Sequence, residues 1–226
     1  MISKGGFAES RRRLVDALIR EGILRDEKVI DALLKVPREL FVPSEYKGYA
    51  YADTPLPIGY GGTISAPHMV AMMDEALELE GGLKVLEVGA GSGYHAATIA
   101  HIVSRGSVEG HVFTVEIVPE LFRLAVRNLM GSSYSRWVTV ILGDGSKGFH
   151  EAAPYDRILV TAAAPDIPKP LVEQLGNPGV LVIPVGGQYS FQSLTVVRKY
   201  PSGRIKIEER GGCSFIPLMG EYGFGG

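Results

Sequence analysis

Cysteine is nearly absent: Cys213 is the only one in 226 residues, so neither an internal disulfide nor a multi-cysteine metal site can form. Net charge is nearly absent too. Lys+Arg number 23 and Asp+Glu 25, a formal charge of −2, so no whole-molecule field draws the chain to nucleic acid. No Lys/Arg cluster interleaved with aromatics offers a nucleic-acid track, and Arg11–Arg13 reads as a solvated helix face. Long hydrophobic runs are missing. The opening MISKGGFAESRRR has no signal-peptide core, and the longest uncharged stretch of note, Val88–Ser104, is a poor membrane span with its three glycines and two histidines. The expectation is a soluble protein of the cytoplasm that binds neither membrane nor nucleic acid. Asn and Gln together number five, a scarcity of labile amides that predicts adaptation to heat.

What is present is a core. Apolar residues make up 46% and charged residues 21%, which excludes disorder. A chain of this length buries roughly 70–75% of its unfolded surface and needs no staples. One domain, 1–226, divides into three zones on pattern. In 1–80, Leu14, Val15, Leu18 and Ile19 share one helical face, and Asp26 can cap a second helix carrying Val29, Ile30, Leu33 and Leu34. Phe41 to Pro67 is rich in Pro, Gly and Tyr and has no clear period, which reads as a functional loop or lid. Met69, Met72, Met73, Ala76 and Leu77 then recur at helical spacing and read as core.

In 81–187 strand and helix patterns alternate: LKVLEV, HVFTVEI, WVTVIL, DRILVTA and GVLVIPV are near-continuous apolar strands. Alternation of this kind predicts right-handed βαβ units and a parallel sheet. In 188–226, QSLTVVRKY and RIKIEER flank Pro-Ser-Gly and read as a β-hairpin on the sheet edge.

The central motif is VLEVGAGSGY, residues 85–94. A strand runs into Gly89, Gly91 and Gly93 and then a helix, a bend that lets backbone approach a ligand closely. The spacing is one residue short of the dinucleotide fingerprint, and no P-loop Lys-Ser/Thr follows. Three acids accompany it. Glu87 lies inside an apolar strand, where a carboxylate needs a partner such as an ammonium group or water. Glu116 closes the next strand, where a carboxylate can take both hydroxyls of a ribose. Asp144 follows the third in Gly-Asp-Gly and is either a turn residue or an acceptor for an adenine amine, with Gly145 leaving room for the ring. An amino-acid end, a ribose and an adenine without a phosphate-binding cation describe S-adenosyl-L-methionine, with S-adenosyl-L-homocysteine as product. Region 83–185 therefore resembles the class I methyltransferase fold: α/β, Rossmann-type, doubly wound, with a mostly parallel seven-stranded sheet. Ser92 and Ile117 are candidate cofactor contacts beside the glycines and Glu116.

Common acceptor signatures are missing. There is no N/D-P-P-Y/F/W segment for amino methylation and no Pro-Cys pair for cytosine C5 chemistry. An RNA or small-molecule methyltransferase, and a cofactor-binding adaptor without chemistry, are the competing readings. The loop DTPLPIGYGGTISAPHM, 53–69, instead resembles the signature of the protein-L-isoaspartate (D-aspartate) O-methyltransferase family. RELFVP, VLEVGAGSGY, YDRILVTAAAP and VLVIPVG match the family's other blocks, so the resemblance spans essentially the whole chain. It implies carboxyl methylation of isoaspartyl residues in damaged proteins, without metal, and a sheet whose late strands are swapped in order. A monomer is the simplest assembly. The resemblance also implies catalytic importance for Ser65 and cofactor contact along Gly62, Thr63, Ile64 and Ser65. Read on its own, Ser65 can equally be a helix N-cap before Pro67. His68 is a candidate carboxylate donor or a structural helix-start histidine, and Asp53 either binds the substrate main chain or caps a turn, with the turn favoured. Phe215 lines a peptide groove or belongs to the core. The segment Ile216–Leu218 matches a family pattern covering the site, but Met219 stands where a hydroxyl-bearing residue is expected.

Overall fold

Strands that are apolar at every position are covered on both faces, and those of this protein divide their side chains between two buried clusters. The computed structural model describes residues 4–188 and 190–225. In chain order, α1 (Lys4–Arg20) and α2 (Glu27–Lys35) precede a small hairpin, β1 (Leu56–Gly59) and β2 (Gly62–Ile64). Then follow α3 (Pro67–Ala76), β3 (Lys84–Val88), α4 (Tyr94–Val103), β4 (His111–Glu116), α5 (Pro119–Met130) and β5 (Val138–Leu142). The chain continues through β6 (Tyr155–Val160), α6 (Lys169–Gln174), β7 (Leu175–Gly186), β8 (Gln192–Lys199) and β9 (Ile205–Cys213).

The main sheet has seven strands in the order β5-β4-β3-β6-β7-β8-β9. The first five are mutually parallel and the last two antiparallel. This is the expected mostly parallel sheet with an edge hairpin. At the late end of the sheet, β7, β8 and β9 are joined as successive antiparallel neighbours. The reversal of winding falls between β3 and β6, where ligands bind in open α/β sheets.

Neighbours along each strand face opposite ways. Val85, Val112, Leu159 and Val182 pack with the apolar sides of α2, α3, α4 and α5, whereas Leu86, Val115, Ile158 and Leu181 pack with Leu171 of α6 and with Leu218. The first face carries most of the helices. Asp26 caps α2 as expected, accepting the Lys28 N–H at 2.7 Å. Of the four apolar positions on α1, Val15 and Leu18 are buried but Ile19 is 40% exposed, so the stripe is narrower than its sequence. Among the described residues no helix is long and apolar enough to cross a membrane.

The segment 41–67 is not the structureless loop its composition suggests. A short 3-10 turn at Arg38–Leu40 leads into it, and it holds another at Ser44–Tyr49 and the β1–β2 hairpin, whose buried Leu56, Ile58 and Ile64 join the main core. Strands of four and three residues are too short to display a period.

Candidate active site

A cavity of about 1200 Å³ lies across the carboxyl ends of β3, β4 and β6. Its size exceeds the ~300–1,000 Å³ of ordinary ligand clefts. Its walls come from four places: the glycine bend, the end of β4, the hairpin with the start of α3, and the C-terminal segment from Gly212 to Met219.

The glycine bend is shaped by what surrounds it. Gly89 has φ of +98°, and a β-carbon there would strike the Thr161 hydroxyl, which itself donates to the Gly89 carbonyl at 2.7 Å. Gly145 lines the cavity as expected. A side chain at that position would meet Val88 at 2.6 Å, so its smallness first serves close packing of the strand ends. Ser92 is buried and also lines the cavity, and Asn128 of α5 donates to its carbonyl at 2.9 Å.

The three acids have three different settings. Glu116 lies on the cavity wall and is 5% exposed, with Ile117 beside it. Its Oε2 accepts the Gly91 N–H at 2.9 Å and its Oε1 the Val118 N–H at 3.0 Å. A carboxylate has about four lone-pair sites, so both oxygens can still accept from a diol. Glu87 is fully buried behind the bend and is not part of the wall. The Thr114 hydroxyl donates to its Oε2 at 2.5 Å, while Oε1 has no partner. Burial pushes its carboxyl up to about 7, against the pull of nearby His95 and of the Thr114 bond.

Asp144 departs from the adenine expectation: it is not on the wall, and its own chain takes both oxygens. Oδ1 accepts the backbone N–H (3.0 Å) and hydroxyl (2.6 Å) of Ser146, and Oδ2 accepts the Glu221 N–H at 2.9 Å. Burial works to raise its carboxyl, but these bonds outweigh it and hold the group below its ordinary value. The turn reading of Asp144 is the one this geometry carries.

Gly62, Thr63, Ile64, Ser65 and His68 all line the cavity opposite the bend. Ser65 is not a helix cap. The N-cap of α3 is Ala66, without a side-chain bond, and Asp53 supplies the missing acceptor from outside by taking the His68 N–H at 2.8 Å. Asp53 also lies 3.0 Å from Nδ1 of the His68 ring, so it fixes that ring as well as capping the helix. The Ser65 hydroxyl takes no partner among the described residues, and its carbonyl accepts from Arg38 at 2.7 Å. Phe215 lines the cavity and also packs against the core. Its backbone is held by Gln192, which accepts the Phe215 N–H at 2.7 Å and donates to its carbonyl at 3.1 Å. Met219 is 56% exposed on the rim.

Sequence reasoning missed Arg38, the buried His95–Asp74 pair (2.9 Å) and Gln192. His95 lines the cavity with its Nδ1 unpartnered. Burial lowers its basicity, but the Asp74 charge and hydrogen bond outweigh that and raise it. An Asp in an amphipathic helix and a His at a helix start carry no sequence signal of a pairing across 21 positions.

The family model described as protein-L-isoaspartate(D-aspartate) O-methyltransferase matches residues 9–223. The chain belongs to that family. Similar family members include the protein-L-isoaspartate O-methyltransferase of Hyperthermus butylicus, 58% identical over 96% of this chain and 92% of the relative. That of Pyrococcus horikoshii is 52% identical over 99% of each. In three dimensions the chain is similar to a protein described as a Plasmodium falciparum member of the family in complex with S-adenosyl-L-homocysteine. The TM-score is 0.79 at 27% identity, covering 92% of this chain and 98% of that one. A second solved protein-L-isoaspartate O-methyltransferase gives a TM-score of 0.82 at 29% identity, covering 94% of this chain and 67% of that one.

Proposed function

We propose that this protein methylates the free carboxylate of L-isoaspartyl and D-aspartyl residues in damaged proteins, with S-adenosyl-L-methionine as donor, so that the ester can collapse to a succinimide. The observation that carries this reading is continuity: the glycine bend with Glu116 and the Ser65 loop are opposite walls of one cavity. The residues fit the donor. Glu116 is poised for a ribose diol, and the unpartnered Oε1 of Glu87, behind the bend, suits an ammonium group through a water. Gly62–Ser65, Gly89–Ser92, Ile117 and Gly145 supply close backbone walls, while Gly93, expected beside the ligand, packs instead against Leu129 of α5. Bound donor supplies a methyl group on a positively charged sulfur.

The chain's own residues then have little acid–base work. A substrate carboxylate has a reference pKa near ~4, so it is ionised at neutral pH and needs no base. That agrees with Ser65, which has no adjacent base and serves as a hydroxyl donor that orients the carboxylate. Attack neutralises an anion and a cation, so exclusion of water lowers the barrier, a task for the hairpin and the Gly212–Met219 segment. His68 and Phe215 border the substrate side. A monomer suffices for this reading, and an unpaired Cys213 suits the reducing cytoplasm. No basic track is part of this reading, and the partners are isoaspartyl proteins and peptides.

The test is methyl transfer from labelled donor to an isoaspartyl peptide and to its aspartyl twin. Base-labile label on the first alone is the expected result, and equal labelling of both overturns the proposal.

A further inference from the structure

Arg38 is the largest fully buried side chain in the protein, at 1% exposure. Its guanidinium lies 5.0 Å from the centre of the Tyr94 ring. Nε donates to the Ala50 carbonyl at 2.9 Å and Nη2 to the Ser65 carbonyl at 2.7 Å, but Nη1 is buried without a partner. Among the described residues no carboxylate lies within 4 Å of it. The acid next in sequence, Glu39, is already held by Arg11 at 3.1 Å and by the Tyr51 hydroxyl. Asp53, whose charge favours the Arg38 cation from beyond pairing distance, is committed to His68.

A buried cation with no anion is costly, and guanidinium does not escape by losing its proton. A strut joining Ala50 to Ser65 needs only two neutral donors, so the charge itself calls for an explanation. Both groups that Arg38 touches on the cavity side, Ser65 and Tyr94, are part of the cavity wall.

We propose that Arg38 is the positioning residue and standing countercharge for the acceptor: it sets the Ser65 backbone and presents positive charge behind it, so that a substrate carboxylate, rather than a neutral carboxamide, completes the pair. The inference rests on the proposed carboxyl methylation. It makes ionisation of the acceptor a recognition feature, read from beneath the cavity wall.

The test uses the full chain saturated with S-adenosyl-L-homocysteine. Dissociation constants are measured for an isoaspartyl peptide and for the same peptide with that carboxylate converted to a carboxamide. Wild type favours the charged peptide, Arg38→Gln loses that preference by about tenfold or more, and Arg38→Lys keeps most of it while binding both peptides more weakly. A merely structural Arg38 weakens both peptides equally in Arg38→Gln and leaves the ratio intact, and that result overturns the proposal. Should Arg38→Gln not fold, Arg38→Lys still decides, because loss of the charge preference in a folded Lys variant also overturns it. Wild type that binds isoaspartyl and aspartyl peptides alike instead defeats the functional reading beneath.

Discussion

Asp53 takes two hydrogen bonds from one residue fifteen positions away: the backbone N–H of His68 at 2.8 Å and its ring Nδ1 at 3.0 Å. One carboxylate thus closes the loop, caps α3 in place of the silent Ala66 and aims the imidazole at the cavity. Asp53→Ala is expected to cost about 1 kcal/mol, as for a lost cap. That corresponds to a fall of roughly 2–4 °C in Tm for a domain of this size. It should also raise KM for an isoaspartyl peptide more than it lowers kcat. Thermal melting and steady-state kinetics check both.

Ser65→Ala removes a cavity hydroxyl that takes no partner among the described residues while leaving the carbonyl that Arg38 holds. Turnover of an isoaspartyl peptide should fall about tenfold to a hundredfold through loss of alignment. The dissociation constant for S-adenosyl-L-homocysteine, by calorimetry, should stay near wild type. Unchanged kcat removes the orienting role.

Glu116→Gln keeps the side-chain shape but replaces two ionised acceptor oxygens by one neutral one. Hydrogen bonds to charged groups contribute about 1.5–3 kcal/mol, so affinity for S-adenosyl-L-homocysteine should drop about tenfold or more. The same calorimetry checks this, and unchanged affinity contradicts a ribose contact.

Glu87 titrates in the working range, its carboxyl pushed up to about 7 by burial. The charged neighbours that face it are His95, which favours ionisation, and Asp74 and Glu116, which oppose it. A ligand ammonium binds the ionised form, so affinity for S-adenosyl-L-homocysteine should rise roughly fivefold to tenfold between about pH 6 and pH 8. Glu87→Gln has no proton to lose there and should flatten that slope. A slope that persists in the variant assigns it to another group.

The parallel core was legible because burial on both faces writes unbroken apolar runs such as Val85–Leu86 and Ile158–Val160. The glycine bend was legible because Gly89 and its neighbours need positive φ, which few other residues tolerate. Glu116 could be placed from its position at a strand end. Asp144 stays open between two readings in the sequence, because a carboxylate after a strand looks the same whether it awaits a ligand or accepts Glu221 from 77 residues on. Arg38 carried no signal, since nothing in the sequence tells a buried arginine from a solvated one. The order of the last three strands was hidden for a similar reason: strand pattern reports burial, not which neighbour provides it.

The cavity wall draws on residues from Pro55 to Phe224, and the last piece is fixed late, when the Leu218 N–H reaches the Ala163 carbonyl at 2.7 Å. A nascent chain that has released only its first five sheet strands already owns the donor side and the hairpin but lacks the Gly212–Met219 part of the wall. Competence therefore arrives only with the final dozen residues, and a protease that clips this terminus would switch off repair while leaving the sheet standing.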